Sequence, residues 1–120
     1  MFTSFYDICA STPAVTDVLG SPPRIFPFDE AMQNTASPYV VYHEIGGSPE
    51  NFLAGRPDMD DYRLQIDVYA QDGLTANSVK RILFDAIELE CHVVGFNGES
   101  RDKDTREYRS SFDVEWYVER

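Results

Sequence analysis

The chain has 120 residues, 42% of them hydrophobic and 13% aromatic, which suits one modest core, so we expect a single domain over residues 1–120. Its formal net charge of −11 excludes a general binder of nucleic acid or anionic membrane, because both need a basic surface. No segment approaches the roughly 20 apolar residues of a membrane span. No signal peptide is visible. The two cysteines are far apart in sequence, so we expect both thiols to be reduced and the protein to reside in a cytoplasm.

The N-terminal part predicts a helical segment. One helix face is indicated by apolar residues at positions i, i+3, i+4 and i+7, namely Phe2, Phe5, Tyr6 and Cys9. Thr12-Pro13 restarts the helix with a short turn over Ala14 to Leu19, since proline suits a first helical position. Gly20 is expected to end it, because glycine tolerates positive φ.

Two short strands with a polar loop between them follow. Arg24 to Phe28 predicts a strand that Pro27 confines to an edge or an end. Residues 29–37 predict a loop. Tyr39 to Ile45 predicts the next strand, ended by Gly46-Gly47-Ser48-Pro49 and followed by a loop over residues 48–61.

The second half of the chain predicts one helix among three strands. Tyr62 to Ala70 alternates apolar and polar residues, as a half-buried strand does. Thr75 to Glu90 has helical apolar spacing. His92 to Phe96 predicts a strand, and Tyr108 to Val118 predicts a long strand. Between them, Asn97-Gly98 indicates a turn, although the charged run Glu99 to Arg106 suggests a longer loop or an extended hairpin.

The resulting order is α-β-β-β-α-β-β. It predicts an α+β fold, with a mostly antiparallel or mixed sheet of about five strands and two helices packed on one face.

No catalytic or metal constellation is recognisable in the sequence. His43 and His92 lie in predicted strands without a nucleophile nearby, and Cys91 and His92, adjacent in a strand, would point to opposite faces. The acidic cluster of Asp58, Asp60 and Asp61 lacks the pattern of a calcium loop. We therefore expect no enzyme activity, no cofactor and no metal site.

Two segments are candidates for contacts with another subunit. Phe52, Leu53 and Met59 are apolar residues in a polar loop, which either fold back on the core or form an exposed patch. The mixed charges of residues 101–109 are either a solvated loop or ion-pair partners of a neighbouring subunit. The candidate interface residues are Phe52, Leu53, Arg56, Met59, Arg101, Lys103, Arg106 and Arg109.

Three segments together carry a resemblance to a known family. They are Arg24-Ile25-Phe26-Pro27, then Pro38-Tyr39-Val40-Val41-Tyr42, then Arg63 to Ala70 with the amphipathic helix after it. In this order they resemble the tail-terminator and tail-completion (head–tail joining) proteins of long-tailed bacteriophages, over roughly residues 2–118.

The resemblance implies a structural virion protein without catalytic residues. It implies a homo-oligomeric ring, typically a hexamer, at the head-proximal end of the tail tube. The ring would end polymerisation of the tail tube protein and join the tail to the head connector, with DNA passing through its channel without specific binding. The protein would assemble in the host bacterial cytoplasm and reside in the neck of the virion.

Two other interpretations stay open beside the ring. The chain could be a neck adaptor or tail-completion protein at a neighbouring position. It could instead be an acidic DNA-mimic inhibitor, although its acids are spread along the chain rather than placed on one face. A small enzyme with an inconspicuous site is the third and weakest interpretation.

Overall fold

The computed structural model describes residues 5–27, 36–50, 59–101 and 107–119. They form three helices and five strands. In chain order these are α1 (Phe5–Ala10), α2 (Pro13–Leu19), β1 (Ile25–Pro27), β2 (Tyr39–Glu50), β3 (Met59–Ala70), α3 (Gly73–Ile87), β4 (His92–Arg101) and β5 (Tyr108–Glu119). None of these helices is long and apolar enough to cross a membrane.

The strands form one mixed sheet in the order β1-β2-β3-β5-β4. Only β1 pairs in parallel, with β2, and the other pairings are antiparallel. β1 lies at one edge and ends at Pro27, as predicted, because proline has no N–H to donate to a sheet. The predicted α+β class, mixed sheet and element order are confirmed.

The N-terminal helical segment consists of two helices, one more than the predicted count. Thr12 is the N-cap of α2 and Pro13 occupies its first turn. Because proline lacks an N–H, a helix running through this point would lose a hydrogen bond, so the chain starts a new helix there. Gly20 follows α2 with φ of 89°, which agrees with its predicted role.

Two strands run further than the sequence predicts. β2 continues through Gly46-Gly47-Ser48-Pro49 to Glu50, and β3 begins at Met59, so the predicted loop over 48–61 is wrong at both ends. An irregularity between Glu44 and Gly46 shifts the register, after which pairing with β3 resumes. A bulge of this kind absorbs an extra residue without ending the strand.

A register shift between Phe96 and Gly98 likewise lets β4 continue past Asn97-Gly98 to Arg101. Gly98 has a φ of 81° at this point. The predicted extended hairpin is therefore correct, and the alternative of a turn at Asn97-Gly98 is wrong. Most of the predicted loop over residues 29–37 lies outside the described residues.

Helix α3 is held by a cap at its start and by its buried face. Asp72 is the N-cap, and its carboxylate accepts a hydrogen bond of 2.7 Å from the backbone N–H of Thr75. The helix ends at Ile87 rather than at the predicted Glu90. Acidic side chains at this end of a helix interact unfavourably with the helix dipole. Its buried face consists of Ala76, Val79, Leu83 and Ile87.

All three helices pack on one face of the sheet and form the core with it. Phe5 of α1 meets Tyr42 edge-on at 5.0 Å between ring centroids, and Phe84 of α3 meets Phe112 at 4.6 Å. The apolar side chains that alternate along the strands belong to the same cluster, namely Val40, Tyr42, Leu64, Ile66, Val68, Phe112, Val114 and Trp116. No described helix packs on the opposite face, which we call the open face.

Candidate subunit interface

The described residues of the two predicted contact segments lie at opposite ends of the sheet. Met59 begins β3 and pairs with Glu119, whereas Ala70 ends β3 and pairs with Tyr108 beside Arg101. At about 3.3 Å per residue, the two ends of β3 are separated by about 35 Å. The structure therefore places Arg101 and Arg109 at the same end of neighbouring strands but on opposite faces of the sheet, and Met59 lies far from both.

The remaining candidate residues, Phe52, Leu53, Arg56, Lys103 and Arg106, lie outside the described part of the chain. Met59 is half-buried and Arg101 is exposed. The guanidinium of Arg101 lies over the ring of Tyr108, 5.3 Å from its centroid. Contacts of these residues with another subunit stay a prediction.

Arg109 has an ion-pair partner within its own chain. Its Nε lies 3.9 Å from Oδ1 of Asp67, and Gln65 donates to the same carboxylate at 3.1 Å. Asp67 is only 5% exposed although it belongs to the open face. Because a buried carboxylate needs compensating partners, Arg109 stabilises the fold, whatever contacts its exposed part makes.

Tyrosines connect three strands at the same end of the open face. The rings of Tyr39 and Tyr69 are stacked, 5.0 Å apart and inclined by 12°. The hydroxyl of Tyr39 donates to Glu107, just before β5, at 3.1 Å. This end of the sheet is thus an ordered polar surface.

At the other end of the open face, acidic side chains converge around Glu115. The pKa of Glu115 lies below its usual value, first because of a hydrogen bond with Asp61, then because of Tyr117 and the charges of Arg63 and His92. The Tyr117 hydroxyl donates to Glu115 at 2.9 Å, and Arg63 lies 3.8 Å away. The sequence gives no signal for this cluster, since only the register of β3 against β5 brings these side chains together.

The geometry does not assemble an active site or a metal site from the described residues. No group of three or more His, Cys, Asp or Glu side chains among them is arranged to hold a metal ion. His43 in β2 and His92 in β4 are separated by two strands, β3 and β5. With about 4.8 Å between neighbouring strands, the three spacings from β2 to β4 separate the two histidines by roughly 14 Å. This is too far for them to act as a catalytic pair.

Both cysteines are free thiols buried in the core. Burial raises the pKa of Cys9 to about 12, with the neighbouring Cys91 adding to the effect. Burial also raises the pKa of Cys91 to about 11, with a smaller contribution from Glu90. Since the thiolate is the nucleophile, neither cysteine should be reactive near neutral pH.

We therefore expect a thiol reagent such as 5,5′-dithiobis(2-nitrobenzoic acid) to modify neither cysteine of the folded protein at pH 8 on a time scale of minutes. Both should react promptly in denaturant, because unfolding exposes them and restores their ordinary pKa. Absorbance at 412 nm with time, with and without urea, measures this. Rapid reaction of the folded chain would contradict the burial of these two residues.

An aromatic side chain projects from the β4 edge of the sheet. Phe96 is 65% exposed, and its ring lies 5.7 Å from that of Phe84 on α3. The ammonium of Lys80, also on α3, lies 5.2 Å from the centroid of the Phe96 ring. The sequence predicted the strand but not this exposure, which arises because β4 is an edge strand.

On the other flank of α3 there is an apolar groove of about 320 Å³. We call it the α2–α3 groove; its lining includes Val18, Pro38, Leu74, Ser78, Val79 and Ile82. Arg24 holds two of its walls together, donating to the carbonyl oxygens of Pro38 at 2.9 Å and Val18 at 3.2 Å. The arginine of the Arg24-Ile25-Phe26-Pro27 segment thus has a structural role at this groove.

A family profile described as "Tail completion protein gp17" matches residues 3–119, nearly the whole chain. The chain belongs to this family. The chain is therefore a structural protein of the phage tail, and the family resemblance found in the sequence is confirmed.

Solved structures share the fold of this chain. A chain of the "Virion of native gene transfer agent (GTA) particle" is similar, with a TM-score of 0.71 and 15% sequence identity. The match covers 97% of this chain and 92% of the other. None of the curated proteins compared with the chain matches it.

Proposed function

We propose that this protein forms a homo-oligomeric ring, of hexameric type, at the head-proximal end of the phage tail tube. There it ends polymerisation of the tube and provides the surface to which the head connector binds. The observation that carries this proposal is the family match over residues 3–119. The fold shared with a chain of a gene transfer agent virion is consistent with a place in a phage-like particle.

The distribution of surfaces supports a ring. A closed ring uses heterologous contacts, in which two different patches of each subunit meet. The described residues offer different surfaces on the two edges of the sheet: the exposed Phe96 on β4, and the α2–α3 groove on the side of β1 and β2. A subunit of this kind can contact one neighbour on each side.

The acidic charge of the chain is compatible with a ring around DNA. A wall with a net charge of −11 per subunit does not bind phosphates, so a genome can pass without being retained. We accordingly assign no specific nucleic-acid contact to the protein. Its location is the virion neck, after assembly in the host cytoplasm.

The name of the family favours one second candidate. This candidate is an adaptor next to the terminator, which would join a finished tail to the head without controlling tube length; the family description mentions tail completion and not termination. The family match gives no support to the DNA-mimic interpretation, which would place the chain on a basic enzyme outside the virion.

Deletion of the gene combined with electron microscopy of the particles tests the proposal. A ring that ends polymerisation predicts tails of uncontrolled length that do not join heads, and density for this chain at the head-proximal tube end of wild-type particles. Tails of normal length that fail to join heads would instead support the adaptor. Absence of the chain from purified virions would contradict both.

A further inference from the structure

The exposed Phe96 and the α2–α3 groove lie on opposite flanks of the same helix. Phe84, which contacts Phe96, and Ile82, which lines the groove, are two residues apart on α3. At 3.6 residues per turn, they point about 200° away from each other. A single chain therefore cannot fill its own groove with its own Phe96.

We propose that Phe96 of one copy inserts into the α2–α3 groove of the next copy, with Lys80 of the first facing Asp72 of the second. This inference rests on the proposed ring and specifies the contact between its subunits. The occupant of the groove is a second copy of this chain.

The groove matches an aromatic side chain in size and chemistry. Its volume of about 320 Å³ lies at the lower end of the roughly 300–1,000 Å³ typical of binding pockets. Its lining is largely apolar, and Leu74 at its rim is 83% exposed. Insertion of Phe96 would remove both exposed apolar surfaces from water at once.

Charges of opposite sign accompany the two surfaces. Lys80 lies beside the Phe96 ring, whereas a smaller cavity next to the groove shares Pro38 and Thr75 with it and reaches Asp72. Hydrogen bonds from Thr75 lower the pKa of Asp72, so this exposed carboxylate stays ionised at neutral pH. Opposite charges of this kind favour the correct pairing of two surfaces and suppress others.

The β4 edge itself disfavours a contact through backbone pairing. Register shifts occur between Val93 and Gly95 and between Phe96 and Gly98. Bulges of this kind interrupt the regular row of hydrogen-bonding groups at an edge and block the addition of another strand. A subunit contact at this edge must therefore depend on side chains, among which Phe96 is the most exposed large hydrophobic one described on β4.

The geometry of the contact leads to a ring rather than a dimer. The donor surface and the acceptor surface differ, so each copy donates on one side and accepts on the other. A repeated contact of this type continues until the rotation between copies closes it.

Cysteine cross-linking tests the contact directly. The double variant Lys80→Cys with Ser78→Cys places one thiol beside Phe96 on the donor surface and one at the groove, and it keeps the Phe96 ring. The two native cysteines are buried and do not compete. In purified protein and in particles carrying this variant, oxidation should produce a ladder of covalent multimers that ends at the size of the ring.

A matched control uses Leu89, which is 93% exposed just after α3 and belongs to neither proposed surface. The pair Leu89→Cys with Ser78→Cys should give no ladder. An equal ladder from the control, or no ladder from the Lys80 pair in particles that contain the chain, overturns the proposed contact. Since the chain would still occupy the tube end, the ring itself would stand. A chain missing from wild-type particles would overturn the ring instead.

Association strength provides a second measurement. Phe96→Ser should weaken self-association by at least about tenfold in sedimentation, as loss of a central interface anchor does. Asp72→Asn retains a residue suited to capping α3 but removes the charge, so it should weaken association and reduce its dependence on salt. Unchanged association in both variants would overturn the contact.

Discussion

Replacing Phe112 with alanine is expected to destabilise the protein by about 3–5 kcal/mol, the usual cost of truncating a buried aromatic side chain. Phe112 is fully buried in the middle of β5. Its ring meets Phe84 of α3 edge-on at 4.6 Å, so the substitution opens a cavity between the helix and the sheet. Because domains are stable by only about 5–15 kcal/mol, much of the folding free energy would be lost.

Equilibrium unfolding in urea measures this effect as a fall in the midpoint at an unchanged slope. Phe96→Ala is the matched control, because Phe96 is the partner of Phe112 in the β4–β5 register but is largely exposed. It should cost about 1 kcal/mol or less, the worth of its aromatic contact. Equal losses for the two variants would contradict the described core.

Replacing Arg109 with methionine is expected to destabilise the folded chain by about 1–3 kcal/mol, because it removes the positive partner of a buried charge. The carboxylate of Asp67 would keep its hydrogen bond from Gln65 but lose the guanidinium that lies 3.9 Å away. A charge left in a poorly hydrated position costs more than the ion pair contributes.

The double variant Arg109→Met with Asp67→Leu separates the two effects. Replacing both charges by apolar side chains should recover most of the lost stability, as it does for other buried ion pairs. Arg101→Met is the control, because Arg101 is exposed and its stacking on Tyr108 is worth only about 0.5–1 kcal/mol. If Arg109→Met proves no more destabilising than Arg101→Met, Asp67 does not depend on Arg109.

The sequence predicts the burial of Phe112 but not the ion pair of Arg109. The alternation of β5 places Phe112 on its apolar face, so its burial could be predicted. Arg109 belonged to a charged segment with two open interpretations, a solvated loop or an intersubunit contact. Its partner Asp67 is 42 residues away in sequence and is found only when β3 and β5 are aligned. Pairing between strands depends on all the strands of a sheet together, and no local pattern contains it.

The errors at the strand ends have a related cause. Gly46-Gly47-Ser48-Pro49 and Asn97-Gly98 are typical turn sequences, yet both are parts of strands. A neighbouring strand supplies hydrogen bonds that outweigh a weak local preference, and bulges accommodate the residues that do not fit. Local propensity therefore located these strands but misjudged their length.

By itself, the sequence determined the class of the fold, the order of its elements, the apolar faces of β3, β5 and α3, and the family. Each of these depends on residues close together in the chain, whose periodicity reflects which side is buried. Only the tertiary structure decided where surfaces for other subunits lie. The α2–α3 groove is built from Val18, Pro38 and Ile82, which are far apart in sequence. Phe96 is exposed because its strand is an edge of the sheet, and strand order follows from packing of the whole domain rather than from any segment of it.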